Sequence, residues 1–385
     1  MPTPYSSELS LALCTIHRAS LLTKAVLRSL SNNVGAETKA DNTPVTVADF
    51  AAQALIINAI HAVYPSDKFV GEESAAQLRA NEQLAERVWQ FVRRAGESGQ
   101  SEPELAAGSG DLQHVRDHKG ATEQTALAFP KSRNEMLDVI DLGTGESLRE
   151  GRVWVLDPVD GTATFMEGKQ YAVCLSLLVD GVQQVGVTGC PNLKFDPSGN
   201  LGSARIHEDQ VDADGHGVVL SAVRGQGTYV RSMQSSGFGE ARRIQHQNSG
   251  KELSALDFVE STLGKTSLSQ DEHRAVAERL GANWPGTVLW SQQIKYAALT
   301  LGATDVMVRI PKDKSRYTFV WDHSGGMLLF QEAGGIIKDF NGGDIDCGYG
   351  RKLLGDRNFG MIAAMPWVFD KVAEAVNEVL NTRTR

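Results

Sequence analysis

The run Val153-Trp154-Val155-Leu156 is dense in β-forming side chains and leads without a spacer into Asp157-Pro158-Val159-Asp160-Gly161-Thr162. This junction predicts a strand that ends in two carboxylates. Pro158 biases Asp157 toward an extended backbone, and Gly161 permits a tight turn. Thr162 stands where a helix or turn would begin. The arrangement sets two acids at a strand end, beside backbone N–H groups able to hold a phosphate. Hard oxygen ligands of this kind suit Mg²⁺, which takes few carboxylates and completes its shell with water and substrate phosphate. The plainer alternative is an Asp-Pro turn followed by a helix-capping aspartate.

Three further segments set acids at element ends. In Val70-Gly71-Glu72-Glu73-Ser74 two acids follow a short strand. They could equally open a solvated helix, favoured by its dipole. In Thr46-Val47-Ala48-Asp49 the spacing matches a capping box, although Glu or Gln is usual at the last position. In Trp321-Asp322-His323-Ser324-Gly325-Gly326 the acid could be an N-cap. The two glycines there are poor helix formers and suggest close backbone approach. Each acid has an innocent reading by itself. Gathered together, Asp49, Glu72, Asp157, Asp160 and Asp322 would repel one another unless protonated or neutralised by cations. Two or three Mg²⁺ would neutralise them and recruit phosphate.

Charge makes the same demand. The 385-residue chain carries a formal charge of -9, which argues against a nucleic-acid polymer as partner. An anionic substrate would need bound cations to approach. Hydrophobic residues are 41% of the chain, enough for a substantial core, and length favours two domains or one large α/β unit. The scattered Cys14, Cys174, Cys190 and Cys347 form no CxxC pair and predict neither a disulfide framework nor a zinc site. The first residues lack a secretory pattern, and no apolar run is long enough to span a membrane. The expectation is a soluble cytoplasmic monomer with no membrane partner.

Along the chain, helices are predicted over 8–31, 46–63, 270–280, 292–301, 323–333 and 366–381. Strands are predicted at 68–70, 153–156, 171–179, 182–189, 218–223, 227–231, 256–260, 305–310 and from 336. Residues 192–216 read as a loop. A Gly/Ser/Glu/His-rich stretch at about 95–130 reads as a flexible surface insertion. The Ser/Gly/Gln-rich 232–252 reads as a linker. The fold expected is a layered α/β (α+β) sandwich. Its N-terminal α+β domain, 1–245, carries most of the acids. Its C-terminal α/β domain, 246–385, contributes Asp322 and further site residues.

The four acid segments, in this order, resemble the lithium-sensitive, magnesium-dependent phosphomonoesterases related to inositol monophosphatase. The resemblance runs from about residue 8 to residue 365. It lapses only in the insertion near 95–130 and in the loop 192–216. The stretches 43–53, 70–74, Lys295-Tyr296, Val308-Arg309-Ile310-Pro311 and Trp321-Asp322-His323 look most like the fungal 3'(2'),5'-bisphosphate nucleotidases.

The resemblance implies an inositol-monophosphatase-like fold of alternating α and β layers. It implies hydrolysis of adenosine 3',5'-bisphosphate to AMP and phosphate, with 3'-phosphoadenylyl sulfate as a further substrate, in sulfate assimilation. Residue by residue, Glu72, Asp157, Asp160, Asp322 and the carbonyl of Val159 match metal ligands. Asp49 and Thr162 match the pair that orients and activates the attacking water. Gly161, Thr162, Thr266, Ser267, Ser291, Lys295 and Arg309 match substrate-binding positions. No convincing Cys, Ser or His nucleophile is apparent, so no phosphoenzyme is expected. The chain departs from its relatives at 264–268, where it lacks their histidine, and at 291–295, where it has an extra residue. Both departures lie where adenine and the second phosphate should bind. The alternatives are an inositol or sugar monophosphatase of the same superfamily and a non-catalytic paralogue that binds cations and nucleotide.

Overall fold

The computed structural model describes residues 3–29, 37–38, 44–45, 47–97, 104–105, 127–199, 205–246, 251–261, 267–313, 315–353, 355 and 357–382. Most of the expected insertion, Thr46 and Thr266 lie outside the described residues.

The apolar run does form a strand, but it does not stop at Leu156. Arg152–Asp160 continues through both aspartates. It pairs in parallel with Lys68–Gly71 and antiparallel with Ala172–Val179. The sheet then continues through Val182–Cys190, Val218–Val223, Thr228–Gln234, Gly237–Phe238 and Glu104–Leu105, with Arg242–Arg243 also pairing with Thr228–Gln234. Ala172–Val179 and Val182–Cys190 form the expected hairpin. At its turn Asp180 and Gly181 both have positive φ, 50° and 83°, as a type I' turn requires.

Both faces of the central strands are buried, so they read as continuous apolar runs. Trp154 and Leu156 join a core with Ile16 of Ser6–Ser29 and Phe50 and Ile57 of Val47–Val63. Val153 and Val155, on the other face, join a core with Ile294 of Gln292–Thr300 and Leu328 of Ser324–Glu332. Met307, Ile337 and Ala363 of a three-stranded antiparallel sheet complete this second core. That sheet is Val306–Arg309, Met361–Ala364 and Ile336–Lys338, with Met361–Ala364 in the middle. Its outer face packs Val308 and Ile362 against Val276 of Gln270–Arg279 and Val372 of Pro366–Thr382. Helices and sheets therefore alternate in five layers, the α/β sandwich expected from the sequence. The second core takes residues from both sides of position 245.

Some expectations need correction. Leu256–Glu260 shrinks to Val259–Glu260, because the Asp257 N–H donates to the Asp305 carboxylate (2.7 Å) instead of to a neighbouring strand. The supposed linker at 232–252 holds the end of Thr228–Gln234 and the strands Gly237–Phe238 and Arg242–Arg243. Its polar side chains suggested a loop, yet the backbone groups still pair at the sheet margin. Helices Glu82–Glu97 and Arg133–Leu142 come without a sequence expectation, as does Met361–Ala364. Four apolar residues are too few for periodicity to identify a strand. No helix among the described residues is long and apolar enough to cross a membrane.

Candidate active site

Asp157 and Asp160 are three residues apart, so a regular strand would turn their side chains to opposite faces. This strand is not regular there. Asp157 pairs with Cys174 and Asp160 with Ala172, so three steps on one strand match two on its neighbour. The extra residue is a β-bulge, and it returns Asp160 to the face that Asp157 occupies. Val159 goes to the opposite core, with Trp154 and Leu156. Gly161 then takes a φ of 93°, and a Cβ there would lie 2.9 Å from Thr164 Oγ1 and 3.0 Å from Ser291 Cβ. Only glycine allows the chain to turn this close to Ser291.

Glu72 arrives by register. Gly71 pairs in parallel with Leu156. One more step along both chains brings Glu72 beside Asp157. Asp49 comes from the first turn of Val47–Val63 and is fully buried. Carboxylate oxygens of Asp49, Glu72 and Glu73 lie within 4.8 Å of one another, and so do those of Asp157, Asp160 and Asp322. Glu73 was not among the expected site residues. Its adjacency to Glu72 was the one signal that could have included it.

Asp322 precedes Ser324–Glu332, but it is not the helix cap; His323 holds that position. The Asp322 carboxylate accepts instead from the Thr318 hydroxyl at 3.1 Å. The glycines after it do mark close approach. A Cβ on Gly326 would lie 2.5 Å from both Gln293 Oε1 and Tyr296 Cδ2 of the neighbouring helix. Asp160 Oδ2 accepts from the Ser291 hydroxyl and from the Gln293 N–H at 2.6 Å. Ser291 Oγ also accepts from Ile294 N–H at 3.1 Å, which caps Gln292–Thr300.

This crowding shows in the acidities. Burial, then repulsion from Glu72, Asp160, Asp322 and Asp49, raises the Asp157 pKa well above its ordinary range. Burial, followed by Asp160 and Glu72, lifts Asp322 to about 7, against the pull of Arg309 and Thr318. Burial also raises Asp160, opposed by its bonds from Ser291 and Gln293.

Glu72, Asp157, Asp160, Asp322, Thr162 and the Val159 residue line a cavity of about 230 Å³. Asp157 Oδ1, buried in its wall, has no hydrogen-bond partner among the described residues. An all-oxygen set with so much uncompensated negative charge and an open carboxylate oxygen fits a hard divalent cation. The Thr162 hydroxyl donates to the Val159 carbonyl at 3.1 Å, inside the same cavity.

The remaining expected residues divide. Gly161 and Thr162 line the acid cavity. Ser267 and Arg309 line a second cavity with Arg316, Tyr317 and Thr318. Thr318 joins the two, since its hydroxyl holds Asp322. Arg309 donates to the Gln292 side-chain oxygen. Ser291 is buried against Asp160. Lys295 is also buried; its ammonium donates to Ser261 Oγ at 2.7 Å, and burial, then Arg309, lowers its pKa to about 8. Thr266 lies outside the described residues.

The profile of the inositol monophosphatase family matches residues 9–91 and 113–380. The chain belongs to the inositol monophosphatase family. The stretch that the family profile leaves unmatched overlaps the expected insertion. Within the curated proteins, the chain is 36% identical to the 3'(2'),5'-bisphosphate nucleotidase of Emericella nidulans, over 98% of this chain and 99% of that protein. It is 35% identical to the 3'(2'),5'-bisphosphate nucleotidase of Schizosaccharomyces pombe, over 97% and 96%. Among solved structures, an IMPase of Thermotoga maritima matches the fold with a TM-score of 0.54 at 17% identity, covering 98% of this chain and 99% of that one.

Proposed function

We propose that this family member is a Mg²⁺-dependent 3'(2'),5'-bisphosphate nucleotidase that hydrolyses adenosine 3',5'-bisphosphate to AMP and phosphate. One observation carries the reading: a carboxylate cavity suited to cations is linked to a second cavity bearing Arg309 and Arg316 by the hydrogen bond from Thr318, which lines the second, to Asp322, which lines the first. A monophosphate would leave the arginine side without an anion. The nearly full-length similarity to proteins named bisphosphate nucleotidases supports the same choice.

Glu72, Asp157, Asp160, Asp322 and the Val159 carbonyl would hold two or three Mg²⁺. Bound there, the cations would supply Lewis-acid polarisation of the phosphoryl oxygens and acidify water in the cavity. Asp49, through the Thr162 hydroxyl, takes the proton of the attacking water and holds that water in line with the 3'-phosphate; the bond from phosphorus to the ribose 3'-oxygen breaks, and that oxygen takes a proton from solvent to become the 3'-hydroxyl of AMP. Gly161 and Thr162 offer backbone N–H groups to the phosphoryl oxygens. Arg309 holds the retained phosphate, with Lys295, Ser291, Ser267 and Thr266 shaping the nucleotide side. Attack by a protein thiol is disfavoured: Cys174, beside Asp157, is buried, and burial and both aspartates hold it as the thiol.

The reading extends to 3'-phosphoadenylyl sulfate, to sulfate assimilation in the cytoplasm, to inhibition by Li⁺ and to a monomer. It includes the division into domains at 245/246, with the second domain supplying Asp322 and Arg309. Phosphate release from adenosine 3',5'-bisphosphate, 3'-phosphoadenylyl sulfate and inositol 1-phosphate, with and without Mg²⁺, tests it. Release from the nucleotides that requires Mg²⁺ is expected. Equal turnover of inositol 1-phosphate would favour a monophosphatase, and nucleotide binding without turnover in Mg²⁺ would favour a non-catalytic paralogue.

A further inference from the structure

One aromatic ring stands in the acid cavity with no part in the chemistry above. Trp290 lines that cavity beside Asp160, Gly161 and Thr162, and it is 46% exposed. It is the exposed tryptophan among the described residues; Trp154 and Trp321, by contrast, are buried. Leaving an indole half open to water forgoes the gain of burying it. The residue is nevertheless tightly placed. Its backbone N–H donates to Glu208 Oε2 at 2.9 Å, and the other Glu208 oxygen accepts from Gln170 N–H at 3.2 Å. The next residue, Ser291, is bonded to Asp160. The backbone that carries the indole is thus anchored, next to a residue bonded to a carboxylate of the candidate metal site.

We infer that Trp290 is the platform on which the purine base of the substrate stacks. This rests on the nucleotidase reading and adds to it the base-binding surface. A phosphate drawn to cations that these acids would hold brings its nucleoside to the cavity rim, where the indole face is the large apolar surface on offer. Base–aromatic stacking suits any purine and needs no hydrogen-bond code. Tyr317 in the second cavity is the competing ring, but one of its faces is already taken. Lys352 Nζ sits 3.9 Å from its centroid, and Phe319 packs edge-on at 5.5 Å.

The test uses the full-length protein with Mg²⁺ and the variants Trp290→Ala and Trp290→Phe. KM for adenosine 3',5'-bisphosphate should rise about tenfold in Trp290→Ala relative to KM for glycerol 2-phosphate, which has no ring. Trp290→Phe should recover most of the loss. Independently, AMP should quench the wild-type tryptophan fluorescence, inorganic phosphate should not, and Trp290→Phe should lose that quenching. If the wild type favours the nucleotide while Trp290→Ala keeps the wild-type KM ratio, the platform is refuted and the nucleotidase reading stands. If the wild type shows no preference for the nucleotide over glycerol 2-phosphate, the nucleotidase reading fails and the platform fails with it.

Discussion

Gln53 clasps the peptide groups of Glu73 from both sides: its Nε2 donates to the Glu73 carbonyl at 2.7 Å, and its Oε1 accepts from the Glu73 N–H at 3.0 Å. Gln53 lies one turn along the same helix from Asp49. A single side chain therefore ties the Glu72-Glu73 loop to the helix that delivers Asp49. A Cβ on Gly71 would lie 2.6 Å from Gln53 Oε1, so the glycine before Glu72 makes room for the clasp.

Replacing Gln53 with Ala strands the buried N–H and C=O groups of Glu73. The expected loss is about 2–3 kcal/mol of folding stability, from unsatisfied buried groups. The Mg²⁺ concentration for half-maximal activity should also rise. Denaturant unfolding together with a Mg²⁺ titration checks both effects. Unchanged Mg²⁺ dependence would limit Gln53 to a structural part.

Asp322 should make the metal-free protein less stable as pH rises. Its ordinary pKa of 3.8 is lifted to about 7 in the folded chain, first by burial and then by Asp160 and Glu72. Between those values the folded protein keeps a proton that the unfolded chain has released, so stability falls as pH climbs through that window. Mg²⁺ competes with that proton and should raise Tm more at pH 8 than at pH 5. Melting curves of EDTA-treated protein, with and without Mg²⁺ added back, measure this. Asp322→Asn should flatten the metal-free profile.

Ser291→Ala should act on both of its bonds. Losing the cap on Gln292–Thr300 costs about 1 kcal/mol. Losing the hydroxyl donated to Asp160 removes the leading interaction that keeps that carboxylate ionised against burial. The acid limb of the pH–rate profile should therefore move to higher pH. A stability loss with an unshifted acid limb would separate the cap from the site.

Arg351 joins the two walls of the acid cavity. It donates to the carbonyls of Gly71 (2.8 Å), Gly143 (3.1 Å) and Gly145 (3.2 Å), and its guanidinium lies 4.7 Å from the Trp321 ring centroid. Gly71 precedes Glu72, and Trp321 precedes Asp322. Arg351→Ala should weaken Mg²⁺ binding about tenfold, the scale typical of residues that orient metal ligands. Calorimetric titration of Mg²⁺ reads this directly, and Arg351→Lys should restore only part, because a single ammonium cannot span three carbonyls.

Arg309→Ala should raise KM for the bisphosphate nucleotide more than it lowers kcat, as expected for a residue that holds the retained phosphate. Steady-state kinetics decide the case; a purely kcat effect would assign Arg309 to the transition state instead.

Much of this site was legible in the primary chain because short-range chemistry marks it. An apolar run followed by Asp157-Pro158-Val159-Asp160-Gly161 announces a buried strand carrying acids, whatever surrounds it. The glycines after Asp322-His323 suggested close backbone approach, and Gly326 against Tyr296 is such an approach. Spacing also foretold the hairpin at Asp180-Gly181 and the helices that flank the sheets. What tertiary structure alone decided was direction and company. The pairing with Ala172–Val179 made the bulge that turns Asp157 and Asp160 to one face. The parallel register with Lys68–Gly71 brought Glu72 beside Asp157, and long-range bonds from Gln53 and Arg351 hold the loops that carry the other acids. Side-chain chemistry is written locally, but whether carboxylates far apart in the chain repel in one hollow or face separate solvent depends on contacts that no local pattern encodes.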